Sequence, residues 1–152
     1  MRRSNHLLHE SARGIVWVVA LFYAYGALVH ILNMLGMNGF AWSSAPLKWK
    51  VLDIVYLVVD VIVVSGMILR WTIGFVAFYI AAVSQIVLYT VFRDWIIDVP
   101  ARYSVPPEKL SYLTSLVAFH VVTLCLVTFA IYVAHNKAFE RTRKKDSGVS
   151  GV

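Results

Sequence analysis

The chain has 152 residues, of which 60% are hydrophobic and 14% are charged, with a mean hydropathy of +0.73 and a formal net charge of +6. Soluble domains carry about 25% charged residues, so this composition excludes a water-soluble globular domain and predicts an integral membrane protein. The positive charges fall at helix ends and in the C-terminal tail, which leaves no basic face for a nucleic acid and suits the anionic headgroups of membrane lipids.

Four long apolar segments follow one another along the chain. A spanning helix needs roughly 20 apolar residues to cross about 30 Å of hydrocarbon, whereas barrel strands are half as long and alternate in polarity. We therefore expect an all-α, integral membrane four-helix bundle within residues 1–136. Its predicted helices cover about residues 14–36, 46–69, 71–92 and 107–135.

The first predicted helix carries a polar stripe. Four of its residues are spaced by three, four and three positions and so share one helix face: Tyr23, Gly26, His30 and Asn33. The apolar run is too long for the core of a signal peptide, and no small-residue cleavage site follows it. We expect this segment to stay in the mature protein.

The second predicted helix, which follows Pro46, carries two aspartates. Asp53, Tyr56 and Asp60 are spaced by three and four positions and also share one face. Asp60 lies in the middle of the apolar run, where a charged side chain costs roughly 2.5 to 3.5 kcal/mol and normally faces protein or water. Asp53 lies nearer the outer surface, where we expect it to be solvated or paired with Lys50. Asp60 is therefore the strongest candidate for a functional residue.

The third and fourth predicted helices contribute further polar groups. The second and third helices are joined at Arg70 with almost no spare residues, which predicts an antiparallel hairpin. Gln85 and Tyr89 are in phase on the third helix, and His120 lies within the apolar run of the fourth. The single cysteine, Cys125, forms no disulfide within one chain, and we expect it to be a buried thiol.

The segments between the helices predict the orientation of the chain. With the N-terminus inside, nine lysines and arginines fall in inner segments and five in outer ones, so the positive-inside rule predicts that both termini are cytoplasmic. The aromatic residues of 37–50 predict a short interfacial helix. Residues 137–152 form a basic tail that we expect to be disordered. The expected location is the plasma membrane, which in bacteria is the inner membrane.

The polar residues lie at comparable depths. At about 1.5 Å per helical residue, Asp60 and His120 lie roughly 15 Å, Gln85 about 12 Å and His30 about 9 Å from the outer boundary. We expect them to meet in a polar pocket, where the ring of His30 or His120 donates to Asp60. The predicted pocket residues are Asp60, His30, His120, Gln85, Tyr23, Tyr56, Tyr89 and Asp53.

Several functions are compatible with this polar layer, and the sequence does not decide whether the protein is an enzyme. An apolar pocket with a few polar groups suits a quinone-like, sterol-like or other lipid-like molecule. Haem b held by His30 and His120 is an alternative, which a difference of about 6 Å in their depths disfavours. Asp60 with both histidines resembles a metal triad in ligand type, but no sequence signature for a metal accompanies it.

A non-catalytic role is a further alternative. Polar side chains in membrane bundles often hold helices together, with about 0.6 to 2 kcal/mol for each interaction. On this interpretation the chain is a structural subunit that packs against a larger membrane protein, or against further copies of itself. Membrane lipids are its partners in every case.

The first two helices resemble those of the DoxX-like four-helix membrane proteins. The matching positions lie in FYAYGALVHIL and in DVIVVSGMILRWTIG, and they are Phe22, Gly26, His30, Asp60, Gly66 and Gly74. Histidine stands where lysine is frequent in that family, and aspartate where glutamate is. The resemblance covers roughly residues 15–85 and implies a membrane subunit associated with redox chemistry, in some members thiosulfate oxidation coupled to quinone reduction.

The chain is also similar to the sterol isomerase and sigma-2 receptor group. Those proteins have four or five helices and acidic residues in a lipid-shaped cavity, and Asp60 stands in for their second-helix glutamate. Both resemblances imply an intramembrane pocket that contains a carboxylate. We therefore expect the protein to bind a quinone-like or lipid-like molecule as part of a membrane redox assembly.

Overall fold

The structure is a computed structural model that describes residues 2–37, 41–104 and 106–149, and the side chains of 13–37, 41–104, 106 and 110–136. These residues form α-helices and two short 3-10 helices, and no strand occurs among them. The 3-10 helices are Trp42–Ser44 and Ala101–Tyr103. The α-helices are α1 (Arg2–Met34), α2 (Leu47–Ile68), α3 (Thr72–Thr90), α4 (Arg93–Ile97) and α5 (Pro107–Val149). The predicted all-α fold class is confirmed.

Four helices contain segments long and apolar enough to cross a membrane. The segments are Arg13–Met34, Leu47–Ile68, Thr72–Thr90 and Leu110–Asn136. Large apolar side chains are exposed all around the bundle, among them Trp17 on α1, Val58 on α2 and Phe129 on α5. Such a surface needs lipid around it, because water would not solvate it. The chain is a multi-pass, four-helix integral membrane protein.

The four long helices form a closed ring. Contacts join α1 to α2, α2 to α3, α3 to α5 and α5 back to α1, with the most extensive packing between α1 and α2 and the least between α1 and α5. Neighbours run antiparallel, since each is joined to the next by a short connection. The ring therefore has two ends. We call the end with the connections 35–46 and 91–106 the loop end, and the end where α2 turns into α3 the hairpin end.

The hairpin end depends on two glycines in contact. Arg70 adopts a left-handed φ of 57°, and the Trp71 amide donates to the Gly66 carbonyl at 2.8 Å. This turn presses Gly66 against Gly74, so that a Cβ on Gly66 would lie 2.6 Å from the Gly74 nitrogen. Because both partners in this contact are backbone, neither position has room for a side chain.

The loop end is held by bonds from the start of α2 to the α4 region. The Lys48 ammonium donates to the carbonyls of Trp95 and Asp98. The Trp49 indole donates to the Ile96 carbonyl at 2.9 Å. These donors satisfy carbonyls that have no partner at the end of a short helix, and they tie the α3–α5 connection to α2.

The core differs between the two halves of the bundle. Toward the hairpin end it is apolar, with Val19, Val63, Met67 and Phe78 each fully buried. Toward the loop end, Asp53, Asp60 and Gln85 are buried among the helices. The candidate site therefore lies in the loop half.

The connections and the tail differ from the expectations. The predicted interfacial helix is a single 3-10 turn at Trp42–Ser44, and residues 38–40 lie outside the described part of the chain. The backbone of α5 is helical to Val149, through most of the tail that was expected to be disordered. Alanine, lysine, glutamate and arginine all favour a helix, and the spanning segment supplies its nucleus. Residues 150–152 lie outside the described range.

Cys125 is exposed, so the expectation of a buried thiol was wrong. The buried face of α5 is formed by His120, Thr123 and Val127, which are spaced by three and four positions. Cys125 lies two positions from Thr123 and from Val127, which turns it away from that face. Apolar character alone does not distinguish the core from the lipid-facing surface in a membrane helix.

Candidate functional site

A cavity of about 220 Å³ lies among α1, α2, α3 and α5 in the loop half of the bundle. Seven of the eight residues predicted from sequence line it: Tyr23, His30, Asp53, Tyr56, Asp60, Gln85 and Tyr89. His120 does not line the cavity. The polar stripes of α1, α2 and α3 therefore turn inward and share one space, as their helical spacing indicated.

His30 is bonded to Asp53 at the loop side of this cavity. The Nδ1 of His30 lies 2.7 Å from Oδ1 of Asp53, and the Asn33 amide donates to the same oxygen at 3.2 Å. Asp53 is only 7% exposed, so the expectation that it is solvated or paired with Lys50 was wrong. Lys50 instead extends its long side chain to the Ser43 carbonyl at 2.6 Å, as lysines near membrane surfaces do.

Asp60 faces the other nitrogen of the same ring. Its Oδ2 lies 3.9 Å from the Nε2 of His30, and its side chain is almost completely buried. This separation exceeds the 2.7–3.2 Å of an N–H···O hydrogen bond. One imidazole is therefore placed between two carboxylates that lie two turns apart on α2.

Gly26 makes this placement of Asp60 possible. A Cβ at Gly26 would lie 2.6 Å from Oδ2 of Asp60, which is much closer than ordinary contact between carbon and oxygen. Gly26 precedes His30 by one helical turn, so the missing side chain leaves the space through which the carboxylate reaches α1. The glycine therefore acts on the position of Asp60 through the side chain that it lacks.

The His30 ring is held from α2 and indirectly from α3. It stacks on Tyr56, with the ring centroids 6.2 Å apart and the planes inclined by 16°. The Tyr56 hydroxyl donates to Ser84 at 3.2 Å, and Ser84 donates to the Ala81 carbonyl at 2.9 Å. The ring's orientation thus depends on a hydrogen-bonded chain that runs from α2 to α3.

Three buried polar atoms around the site have no hydrogen-bond partner among the described residues. They are the Tyr23 hydroxyl, Oδ1 of Asp60 and Nε2 of His120. A buried polar atom left without a partner costs roughly 1 to 3 kcal/mol. Tyr23 and Asp60 both line the cavity, so two of its lining residues each hold a buried polar atom whose hydrogen-bonding capacity the described residues leave unused.

His120 does not line the cavity, and of the two histidines expected near Asp60 it is His30 that faces the carboxylate. His120 is fully buried, its Nδ1 lies 2.7 Å from the Leu116 carbonyl, and its ring packs edge-on against Tyr23 at a centroid distance of 6.0 Å. The depth of His120 estimated from its position in the sequence carries no information about the large aromatic side chains that surround its ring.

This position of His120 bears on the metal alternative. Within the described residues, no group of three histidine, cysteine or acidic side chains is placed to hold a metal ion. The Nδ1 atoms of His30 and His120 are bonded to Asp53 and to the Leu116 carbonyl, respectively. The triad of Asp60 with both histidines is therefore not formed.

The cavity reaches the surface of the bundle at the seam between α1 and α5. Tyr25 and Tyr112 line the cavity, yet their side chains are 61% and 59% exposed. Toward the hairpin end the seam is closed, because the rings of Phe22 and Phe119 stack with centroids 3.6 Å apart. The opening therefore lies on the side of the bundle that faces the bilayer.

Tyr25 and Tyr112 were not identified from the sequence. Both are tyrosines in apolar segments, and Tyr112 precedes Leu116 by one helical turn. Tyr25 lies two positions from Tyr23, off the polar stripe of α1, so the pattern that identified the stripe passed over it. Their position at the opening of the cavity depends on how α1 and α5 pack against each other, which the sequence pattern does not specify.

The fold defines a class, the four-helix integral membrane proteins. Comparison of the chain with protein-family models, with curated proteins and with solved structures gives no match.

Proposed function

We propose that the protein binds the ring of a quinone-like molecule, or of a related lipid-like molecule, in the cavity beside Asp60. One observation carries this proposal: two residues that line the cavity, Tyr23 and Asp60, each hold a buried polar atom without a partner. A quinone carbonyl accepts a bond from the Tyr23 hydroxyl, and a quinol hydroxyl donates to Oδ1 of Asp60. The pair therefore suits both oxidation states of such a ring.

The dimensions of the cavity support a ring with an apolar tail. Its volume of about 220 Å³ is below the 300–1,000 Å³ of pockets that enclose a whole drug-sized ligand. The cavity therefore takes a head group, and the tail extends through the seam between Tyr25 and Tyr112 into the bilayer. A ligand that partitions into lipid reaches this opening without crossing water.

The resemblance of residues 15–85 to the DoxX-like proteins supports the redox part of the proposal. A bound quinone needs a donor or acceptor of electrons, and we place the chain in a membrane redox assembly that supplies one. Within this assembly, the chain's own residues bind the ring and exclude water from it. Asp60 and Tyr23 are the binding residues, and Gly26 positions Asp60.

The test is ligand-dependent stabilisation of the purified full-length protein. A decyl-tailed benzoquinone at about 100 times its Kd should raise the free energy of unfolding by about 2.7 kcal/mol. Asp60→Asn and Tyr23→Phe should lose most of this stabilisation, because each removes one of the two unpartnered groups. Asp94→Asn is the matched control, since it neutralises an exposed aspartate of α4 outside the cavity.

Three results would contradict the proposal. The first is a wild-type protein that no quinone stabilises, and the second is an Asp60→Asn variant stabilised as much as the wild type. The third is a stable stoichiometric partner that copurifies equally with the wild type and with Asp60→Asn, while the quinone binds neither. That outcome would favour the structural-subunit alternative.

A further inference from the structure

Three ionisable side chains form a line from the loop end toward the middle of the bundle. Asp53 and His30 are joined at 2.7 Å through Nδ1, and Nε2 of the same ring lies 3.9 Å from Asp60. Asp60 follows Asp53 by seven residues of α2, a rise of about 10 Å. The two nitrogens of one imidazole thus connect a carboxylate near the loop end with a deeper one.

The surroundings of this line contain no competing cation. The other titratable groups that line the same cavity are all phenols, and they belong to Tyr23 and Tyr25 on α1, Tyr56 on α2, Tyr89 on α3 and Tyr112 on α5. Among the described residues, the cavity lining includes no lysine and no arginine. His30 is therefore the one basic side chain available there to two buried carboxylates.

The chemistry of imidazole places a proton between these groups. When Nδ1 carries a proton toward Asp53, the Nε2 of a neutral ring is an acceptor and cannot bond to an ionised carboxylate. A hydrogen bond between Nε2 and Asp60 therefore requires a proton, either on Nε2 of a cationic ring or on Asp60 itself. In both states, one proton is shared by His30 and Asp60. Interhelical adhesion alone needs only the bond between His30 and Asp53.

We propose that Asp53, His30 and Asp60 form a proton relay from the loop end of the bundle to the internal cavity. A proton on Asp53 passes to Nδ1 of a ring protonated at Nε2, and Nε2 gives its own proton to Oδ2 of Asp60. One proton enters, one leaves, and no electron moves. The step leaves the ring protonated at Nδ1, and a second exchange, in which Nδ1 loses a proton and Nε2 gains one, returns the ring to its starting tautomer. Chains of aspartate and histidine in membrane helices are a known means of moving protons.

Asp60, the last residue of the proposed relay, lines the cavity. Asp60 bears the unpartnered Oδ1 and lines the cavity beside the unpartnered Tyr23 hydroxyl. Any group in the cavity that gains or loses a proton therefore exchanges it with the loop end of the bundle. This inference does not depend on which molecule occupies the cavity.

The experiment follows the protonation of Asp60 after a pH jump. The full-length protein in lipid nanodiscs is mixed with acidic buffer, and time-resolved infrared spectroscopy records the C=O stretch of the protonated carboxyl, assigned by its absence in Asp60→Asn. Asp53→Asn and His30→Gln should slow the appearance of this band by roughly tenfold or more. Asp94→Asn, which removes an exposed carboxylate of α4, should leave the rate unchanged.

Asp53→Asn and one further variant, His30→Ala, separate the relay from a structural role. Asp53→Asn keeps an oxygen that accepts from Nδ1, so it preserves the packing while removing the ability to carry a proton. In His30→Ala, added imidazole should restore the rate. A wild-type rate in both Asp53→Asn and His30→Gln would overturn the proposal, and so would the absence of any Asp60 band across the pH range in which the protein is folded. No quinone is present, so failure of the proposed ligand would not affect the result.

Discussion

Gly26→Ala is the sharpest test of how the site is built. The new Cβ would lie 2.6 Å from Oδ2 of Asp60, whereas non-bonded carbon and oxygen atoms approach to about 3.3 Å or more. The overlap of about 0.7 Å must be relieved by moving the carboxylate away from α1 and from His30. Overpacking of this kind costs roughly 1 to 3 kcal/mol. Glycine to alanine within a helix returns up to about 1 kcal/mol, so the net destabilisation should be about 0 to 3 kcal/mol.

The matched control is Gly14→Ala on the same helix. A Cβ at Gly14 meets nothing within 4 Å, so only the helix-propensity gain of up to about 1 kcal/mol applies. The free energies of unfolding of both variants, measured in the same detergent, should differ by at least about 1 kcal/mol, with Gly26→Ala the less stable.

A double-mutant cycle identifies the cause. In an Asp60→Ala background the obstructing carboxylate is gone, so Gly26→Ala should no longer destabilise, and the coupling free energy should exceed about 1 kcal/mol. Additive effects of the two substitutions, or a Gly26→Ala variant as stable as Gly14→Ala, would refute the claim that Gly26 is the space into which Asp60 fits.

Two further predictions concern the ends of the bundle. Gly74→Ala should destabilise the protein by about 3 kcal/mol or more, because its Cβ would lie 2.5 Å from the Cα of Gly66 and the backbone of Gly66 cannot move without distorting the turn. Thermal unfolding measures this loss of stability, and a variant as stable as the wild type would contradict the prediction. Lys48→Met should cost roughly 0.5 to 1.5 kcal/mol, because it removes the donor to the exposed Trp95 and Asp98 carbonyls, which water can then solvate. For Lys48→Met, proteolysis within residues 93–104 should become faster, and an unchanged cleavage rate would show that α4 is held by other contacts.

Most of the fold was predictable from composition and segment length. Four apolar runs of sufficient length leave the backbone no alternative to helices in a lipid environment, and the short link at Arg70 forces α2 and α3 to be antiparallel. The ends of the helices were less predictable. A terminal segment of good helix formers remains helical once a spanning helix nucleates it, so the basic composition after Lys137 did not mark the end of α5.

The sequence predicted which helix face each residue of the candidate site occupies, but it did not predict which side chains contact one another. Helical spacing correctly placed His30, Asp53 and Asp60 on inward stripes, because spacing determines which face a residue occupies. Spacing carries no information about which side chains meet across helices. Asp53 was therefore assigned to water when it binds His30, and His120 was assigned to the cavity when the Tyr23 ring lies in front of it.

The division of the core into two halves has a consequence for energy conservation in the membrane. The core cluster toward the hairpin end is aliphatic and aromatic, and Val63, Met67 and Phe78 are fully buried in it. Thr123 is a buried polar residue on this side of His120, and its hydroxyl is already bonded to the Phe119 carbonyl. If the proposed relay operates, such a layer would confine the exchange of protons to the loop end and so keep the two sides of the bilayer insulated from each other.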